Sequence, residues 1–138
     1  MPFWRTRAGA YQRAWGRTAL LFAHPPRSVP REWLAEQCRL ARSTDYLEAH
    51  LSVLRALVSP LGQREVLVDR LPSLKVPTLV VWGERDRVLP QFQARDAVTR
   101  LRDGSLSLIP DCGHVPHVEC PDRFLGALEG FLLKRVLR

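Results

Sequence analysis

Two loops in the second half of the chain each place one titratable side chain directly after an apolar, strand-like run. Asp86 lies in the loop after residues 77–81, and His114 lies in the loop after residues 105–109. A histidine can take and return a proton near pH 7, and a carboxylate can orient that histidine and stabilise its charged form. The pair therefore provides two members of a nucleophile–histidine–acid triad, in which the histidine activates a nucleophile or a water molecule.

Other residues of the same two loops have competing or structural roles. Glu84 is a rival acid, but it lies closer to the end of the strand, and Asp86 is itself a residue type that caps helices and forms turns. Cys112 is a possible nucleophile, yet its side chain is expected to diverge from a histidine two positions away on one loop, which favours a small buried residue. Gly83 and Gly113 are expected to let the chain turn sharply where each strand ends.

The elements that must position these loops follow from an alternating pattern after residue 70. Residues 76–82 form a continuous apolar and β-branched run, which is typical of a strand covered on both faces. The pattern then predicts a helix over 91–102, a second strand over 105–109 and a final helix over 121–137. This order predicts parallel strands with a right-handed crossover, and ligands of such sheets bind at the carboxyl ends of the strands, where both loops lie.

Before residue 70 the chain is patterned as helices. They are predicted over 8–22, over about 31–42 and after the N-cap candidates 43–45, with a proline-rich break at 24–30. Apolar residues at helical spacing predict the buried faces of the first, third and last helices. These residues are Tyr11, Trp15, Ala19 and Phe22; Tyr46, Leu47, Leu51, Leu54, Leu57 and Val58; and Phe124, Leu125, Leu128, Phe131 and Leu132.

Composition sets the broad class of the protein. With 138 residues, 46% of them hydrophobic and 25% charged, the chain suits one ordinary globular domain. The net charge of +7 comes mainly from arginines spread along the chain, which indicates solvated faces rather than a nucleic-acid site. Three cysteines without C-x-x-C spacing disfavour disulfides and a zinc site. No apolar run approaches the roughly 20 residues of a membrane helix, so we expect a cytoplasmic protein with no membrane or specific nucleic-acid partner.

Two motifs resemble those of one enzyme superfamily. Residues 76–90, VPTLVVWGERDRVLP, resemble the acid-bearing strand and loop of the α/β hydrolases, and residues 110–124, PDCGHVPHVECPDRF, resemble their histidine loop and final helix. The best local resemblance is to cap-bearing members such as carbon–carbon bond hydrolases, epoxide hydrolases and related esterases. It implies the C-terminal half of an α/β-hydrolase fold: a helical cap or lid region at 1–69, then two parallel strands and flanking helices at 70–138.

The resemblance also implies roles for individual residues. Asp86 would orient His114, and His114 would be the general base, with His117, Val115 and Val88 as substrate contacts. No metal or organic cofactor is implied. The chain order in this fold is nucleophile, acid, histidine, yet no G-x-S-x-G elbow and no oxyanion segment precede the acid. The family's nucleophile-bearing half is therefore missing from the sequence, and we expect a complementing N-terminal half or a homo-oligomer as partner of this chain.

The expected function is that of the C-terminal portion of a hydrolase. The complete enzyme would cleave an ester, carbon–carbon or related bond in a small, fairly apolar molecule, and this portion alone would have little activity. The alternative is a non-catalytic binding or interaction module that pairs through the open edge of its two-stranded sheet. A third, weaker hypothesis is nucleic-acid binding by the basic segment 5–17.

Overall fold

The computed structural model describes residues 6–136, which form two compact units. The first unit consists of the residues up to Thr18 together with Pro30–Leu67, and the second consists of Ala19–Val29 together with the residues from Val68 onward. In this described range, each helix falls short of the length and apolarity that a bilayer crossing requires. The predicted end of the last helix at residue 137 and the start of the basic segment at residue 5 lie outside the described residues.

The first unit is helical, as the sequence pattern predicts. Ser43 caps the third helix, because its Oγ accepts a hydrogen bond from the backbone N–H of Tyr46 at 3.2 Å. Pro30 stands in extended conformation at the N-cap of the second helix. The elements are α1 (Arg7–Leu21, whose last three residues belong to the second unit), α2 (Arg31–Leu40), α3 (Thr44–Leu57) and the antiparallel two-residue strands β1 (Val58–Ser59) and β2 (Gly62–Gln63).

The buried face of α1 within this unit differs from the predicted one. Ala10, Ala14 and Thr18 are buried, whereas Tyr11 is 51% exposed. Oγ1 of Thr18 accepts a hydrogen bond from Nε1 of Trp33 on α2 at 3.3 Å. Of the residues at helical spacing, Phe22 is fully buried, Trp15 and Ala19 are half-buried and Tyr11 is exposed, so the prediction is only partly right.

The apolar stripe of α3 was also predicted to be buried, and this is wrong. No residue of α3 is buried, and Leu54 and Leu57 are 45% and 57% exposed. Tyr46 instead stacks on His50 with ring centroids 6.0 Å apart, and the guanidinium of Arg17 lies 5.5 Å from the Tyr46 ring centroid. Helical periodicity identifies the apolar face of a helix but not whether another element covers it.

The second unit contains the predicted order of strand, helix, strand and helix. Its two strands are parallel, with Thr78 opposite Gly104 at one end and Gly83 opposite Ile109 at the other. A 3₁₀ helix at Val68–Ser73 and a one-turn helix inside the histidine loop are additions to the prediction. The elements that follow the 3₁₀ helix are β3 (Thr78–Gly83), α4 (Phe92–Arg100), β4 (Gly104–Ile109), α5 (Pro116–Glu119) and α6 (Pro121–Val136).

The two-stranded sheet is less covered than the sequence predicts. All residues of β3 and β4 are only half-buried except Gly83 and Ile109, which are buried. On α6, Leu125 and Leu132 are 49% and 51% exposed, so the inward-facing stripe predicted there is partly wrong. Two strands are too narrow to cover the whole apolar face of a 16-residue helix. The buried apolar residues of this unit are Phe22, Ala23, Ala94, Leu101, Ile109, Cys112 and Val115.

Candidate functional site

The two loops singled out in the sequence begin side by side in the second unit. Gly83 and Ile109, the last residues of β3 and β4, are register partners. Beyond them the backbone N–H of Glu84 donates to the carbonyl of Ile109 at 3.1 Å, and the N–H of Arg85 donates to the carbonyl of Cys112 at 2.8 Å. The parallel pairing therefore continues into both loops and brings them to one edge of the sheet.

Gly83 and Gly113 allow a close approach of backbones, which corrects the predicted role in turning the chain. Neither glycine has a φ in the left-handed region. A Cβ on Gly83 would overlap the carbonyl oxygens of Gly113 and Cys112. A Cβ on Gly113 would lie 2.5 Å from the carbonyl oxygen of Leu21 and 2.7 Å from the amide nitrogen of Ala23. Any side chain at either position would push these segments apart.

The carboxylate of Asp86 is fixed by its own loop. Its Oδ1 accepts hydrogen bonds from the backbone N–H groups of Val88 at 2.8 Å and Leu89 at 2.9 Å. The side chain is 3% exposed. Asp86 is therefore a turn-forming residue, as one of the sequence interpretations held, and the turn leaves Oδ2 available to a second partner.

That second partner is His114, predicted from the sequence to lie beside this acid. Nδ1 of His114 lies 2.8 Å from Oδ2 of Asp86. Because an ionised carboxylate only accepts hydrogen bonds, Nδ1 carries the proton and donates it, which leaves a lone pair on Nε2. Within residues 6–136, Nε2 has no hydrogen-bond partner, and the side chain is 29% exposed. The arrangement can accept a proton at Nε2 and stabilise the resulting imidazolium from the other side of the ring.

A cavity of about 170 Å³ adjoins the pair. Its lining is mostly apolar, and Nε1 of Trp82 donates to the carbonyl of Leu89 at 3.3 Å, which holds the indole against the acid loop. Trp82, Leu89 and Pro116 were not assigned to the site from the sequence, although each stands within a few residues of a named loop residue. The lining residues are Val81, Trp82, Gly83, Asp86, Leu89, His114 and Pro116.

The three predicted substrate contacts lie outside the lining of this cavity. Val88 is 44% exposed, and its backbone N–H is bound to Asp86. Val115 is buried at the start of α5. His117 is exposed, with its ring edge-on to Phe124 at a centroid distance of 6.0 Å. The structure brings Asp86 and His114 together but does not gather these three residues, so their contact with a substrate stays a prediction.

The rival titratable groups of the loops have other environments. Glu84 is exposed beyond the end of β3. Cys112 is fully buried, and burial together with the neighbouring Cys120 thiol raises its pKa, which keeps the thiol protonated and unreactive. This argues against Cys112 as a nucleophile. In the part of the chain that the structure describes, no three His, Cys, Asp or Glu side chains are grouped to hold a metal ion.

The backbone of the histidine loop is anchored to residues that were not predicted to belong to the site. The N–H of His114 donates to the carbonyl of Leu21 at 2.7 Å, and the N–H of Gly113 donates to Oε2 of Glu119 at 2.6 Å. Leu21 is distant in sequence, so only the fold could reveal that contact. Glu119 lies five residues after the histidine, and an acid in this short segment was a signal that could have been noticed.

Comparison with known proteins identifies a family that the sequence matches. A family model described as the alpha/beta hydrolase family matches residues 1–127. In the solved structure of a serine hydrolase involved in carbazole degradation, the match covers 97% of this chain and 48% of the other, with a TM-score of 0.76 and 24% identity. That likeness concerns the fold, and it agrees with the α/β class predicted from the sequence.

Two curated relatives are enzymes. A 2-hydroxy-6-oxo-6-phenylhexa-2,4-dienoate hydrolase of Burkholderia cepacia is 36% identical over 52% of this chain and 25% of its own length. A 2-hydroxy-6-oxononadienedioate/2-hydroxy-6-oxononatrienedioate hydrolase of a Pseudomonas species is 25% identical over 83% of this chain and 39% of its own length. This chain therefore spans well under half of the length of these relatives.

Proposed function

Because this chain belongs to the alpha/beta hydrolase family, we propose that it supplies the acid and the general base of a hydrolase whose nucleophile lies outside this sequence. Asp86 is the acid and His114 is the base. The single observation that carries the proposal is the 2.8 Å contact between Nδ1 of His114 and the nearly inaccessible carboxylate of Asp86. The two other hydrogen bonds to this carboxylate support it, because they orient the acid before any substrate arrives.

The proposed chemistry follows from the two ring nitrogens of His114. Nε2 takes the proton of the attacking hydroxyl as the new bond forms and later returns it to the leaving group. Asp86 stabilises the charge that the imidazole then carries and holds Nδ1 in its protonated form. The negative charge that develops on the substrate oxygen requires donors that this pair does not provide.

The nucleophile and those donors are proposed to belong to polypeptide outside this sequence. The chain has no G-x-S-x-G elbow, and it aligns with 25% and 39% of the length of two enzyme relatives. Alone, the 138-residue chain is expected to have little hydrolytic activity, since it could only activate water through His114.

The proposed substrate is a small, fairly apolar molecule with an ester, carbon–carbon or related bond. The cavity beside His114 is lined by Val81, Trp82, Leu89 and Pro116, which suit an apolar group. The names of the two relatives point to carbon–carbon bond hydrolysis as the first activity to test.

A second candidate function is a non-catalytic module that binds another polypeptide. It is favoured by one observation: within residues 6–136, β3 pairs with β4 alone, so one edge of each strand has no partner strand. Such edges pair readily with further strands. Association of the purified chain with another polypeptide, without any gain of hydrolytic activity, would favour this function over the first.

The test begins with the DNA upstream of the first codon, translated in all frames. A segment with an oxyanion loop and G-x-S-x-G would be joined to this chain, and the product would be assayed with 4-nitrophenyl esters and a 2-hydroxy-6-oxo-dienoate. We expect His114→Ala and Asp86→Ala to lower kcat/KM on the order of 10³–10⁴-fold.

The matched controls are His50→Ala and Asp96→Ala, which change an exposed histidine and an exposed aspartate elsewhere in the chain. Both are expected to retain activity. Equal activity in the site variants and the controls would overturn the proposal, as would robust turnover by the isolated chain that persists in His114→Ala.

A further inference from the structure

The carboxylate of Glu119, at the end of α5, accepts hydrogen bonds from two segments that are far apart in sequence. Oε1 accepts from Oγ of Ser28 at 2.6 Å and from the backbone N–H of Ala23 at 2.9 Å. Oε2 accepts from the backbone N–H of Gly113 at 2.6 Å. The N–H of His24 is a longer donor to Oε1, at 3.4 Å. These neighbours are all donors, as is the thiol of Cys112, whose Sγ lies 3.9 Å from Oε2, and this matches an ionised carboxylate, since that group can only accept.

The short distances identify strong interactions. Hydrogen bonds to an ionised oxygen are shorter and stronger than those between neutral groups. The contacts of Glu119 with Ser28 and Gly113 are both at the short end of the range. This carboxylate therefore ties the loop after α1 to the histidine loop within the second unit.

The hydrogen bond from Gly113 to Glu119 fixes the backbone of the residue directly before His114. The N–H of Gly113 is held by Glu119, and the next N–H along the chain, that of His114, is held by the carbonyl of Leu21 at 2.7 Å. A Cβ on Gly113 would lie only 2.8 Å from Oε2 of Glu119, so the backbone is seated closely against the carboxylate. Two consecutive backbone donors are thus fixed where the imidazole leaves the chain.

We propose that Glu119 is a positioning residue for His114. Its carboxylate holds the backbone of Gly113 at the place from which the imidazole reaches Asp86. The inference rests on the proposed function, in which that imidazole is the general base. Glu119 acts through Gly113 and does not touch the reacting atoms. Proton transfer depends steeply on distance and orientation, so a small shift of this backbone is enough to weaken the pair.

The experiment follows the Nδ1 proton of His114 by NMR in the full 138-residue chain labelled with ¹⁵N-histidine. A proton shared with a carboxylate resonates far downfield and exchanges slowly. His114→Gln assigns the signal, and Asp86→Ala is expected to abolish it. In Glu119→Gln, whose amide places a donor against donors, we expect the signal to be lost or shifted upfield.

Two further variants distinguish a positioning role of Glu119 from a general effect on the stability of the fold. Ser28→Ala removes a donor to Oε1 but leaves Oε2 on Gly113, so it should lower the unfolding midpoint while keeping the His114 signal. Glu129→Gln makes the same acid-to-amide change at an exposed position of α6 and should alter neither. Glu119→Asp keeps the charge but withdraws it by one methylene, and it serves as the second test variant if Glu119→Gln does not fold.

Each outcome decides one of the two proposals. A wild-type spectrum without the downfield signal, or one that Asp86→Ala leaves unchanged, would contradict the Asp86–His114 pair and hence the proposed function. A signal that is present in wild type, lost in Asp86→Ala and unchanged in a folded Glu119 variant would overturn only the positioning role. Loss of the signal in Ser28→Ala to the same extent would also overturn it, because general loosening would then explain the effect.

Discussion

The backbone of Gly113 occupies the space where a side chain on Gly83 would have to stand. Gly83 is the last residue of β3, Gly113 lies in the histidine loop beyond the end of β4, and a Cβ on Gly83 would overlap the carbonyl oxygen of Gly113. The acid loop and the histidine loop therefore touch through their backbones before any side chain contributes. This contact sets the separation across which Asp86 reaches His114.

Gly83→Ala tests this contact. The added methyl group meets backbone atoms that cannot rotate away, so we expect the free energy of unfolding to fall by about 1–3 kcal/mol. Urea titration followed by circular dichroism would measure the change.

Gly126→Ala is the matched control for this substitution. Gly126 lies in α6, and apart from its chain neighbours and the backbone of its own helix nothing lies within 4 Å of an added methyl group, so alanine should stabilise the helix by about 0.5–1 kcal/mol. Effects of the same sign at both positions would contradict the close-approach explanation.

Two substitutions of Asp86 should separate its turn from its bond to the histidine. Asparagine keeps Oδ1 as acceptor for Val88 and Leu89 but presents an N–H group toward His114, which forces the proton onto Nε2. Alanine removes both functions. We expect Asp86→Ala to cost about 1–3 kcal/mol of stability and Asp86→Asn clearly less.

The catalytic activities of Asp86→Ala and Asp86→Asn should not follow the order of their stabilities. In a completed enzyme both variants should lose roughly 10⁴-fold in kcat. The alanine variant no longer orients the imidazole, and the asparagine variant holds it in the wrong tautomer. ¹⁵N chemical shifts of His114 would report the tautomer, and an unchanged Nδ1 proton in Asp86→Asn would contradict the prediction.

Cys112 should make stability depend on alkaline pH. Burial raises the pKa of this thiol above its ordinary value of 9.0, with further contributions from Cys120 and Glu119, which face it. Above pH 9 the unfolded chain releases the proton and the folded chain keeps it, so the folded state loses stability as the pH rises. The stability advantage of wild type over Cys112→Ala, measured by urea unfolding from pH 7 to 10, should therefore shrink above pH 9.

The same burial predicts the order of thiol labelling. Cys38 and Cys120 are half-buried, whereas Cys112 is fully buried. Iodoacetamide at pH 8 should modify Cys112 last, at a rate limited by opening of the fold. Mass spectrometry of the digested protein would detect the order, and early labelling of Cys112 would contradict its buried, protonated state.

Asp111 should contribute stability that disappears in acid. Nε2 of His24 lies 2.8 Å from Oδ1 of Asp111. This contact, followed by the charges of Arg85 and Arg123, holds the pKa of the Asp111 carboxyl below its ordinary value of 3.8. A lowered pKa means that the stabilisation is present above pH 3.8 and is lost as the pH falls through the folded-state value. The melting temperature of Asp111→Asn should therefore be lower than that of wild type near pH 6, and the difference should close below about pH 4.

Asparagine is the suitable replacement because Asp111 has a φ of 59°. Asparagine tolerates this left-handed conformation, so the variant removes charge without adding backbone strain. Asp111→Ala adds that strain and should melt at a lower temperature than Asp111→Asn at every pH. A constant difference between wild type and Asp111→Asn from pH 3 to 6 would rule out the ionic explanation.

The meeting of Asp86 and His114 was predictable from the sequence for a simple reason. Each follows an apolar, strand-like run, and parallel strands present their carboxyl ends at one edge of a sheet. Local information was enough because the loops are short. Ser43 was one of the three predicted N-cap candidates at 43–45, and local information also sufficed there because capping depends on residues three positions apart.

The structural features that could not be predicted from the sequence depend on contacts between residues that are far apart in the chain. In α1 the buried residues include Ala14, which the aromatic spacing did not indicate, because burial depends on which other parts of the chain cover each face. Leu54 is exposed although it belongs to an apolar stripe. The contacts of Glu119 with Ser28 and Ala23 were overlooked because no periodicity connects these residues to it.

The hydrogen bond between Ala23 and Glu119 has a consequence for how the protein is made. The two residues are separated by 96 positions, and Phe22 and Ala23 are almost completely buried. During translation, these residues leave the ribosome long before their partner exists, and closing so long a loop is slow. The nascent chain must therefore carry this apolar segment uncovered until almost the last residue of the histidine loop has been synthesised. During this interval the segment is exposed to chaperones and proteases.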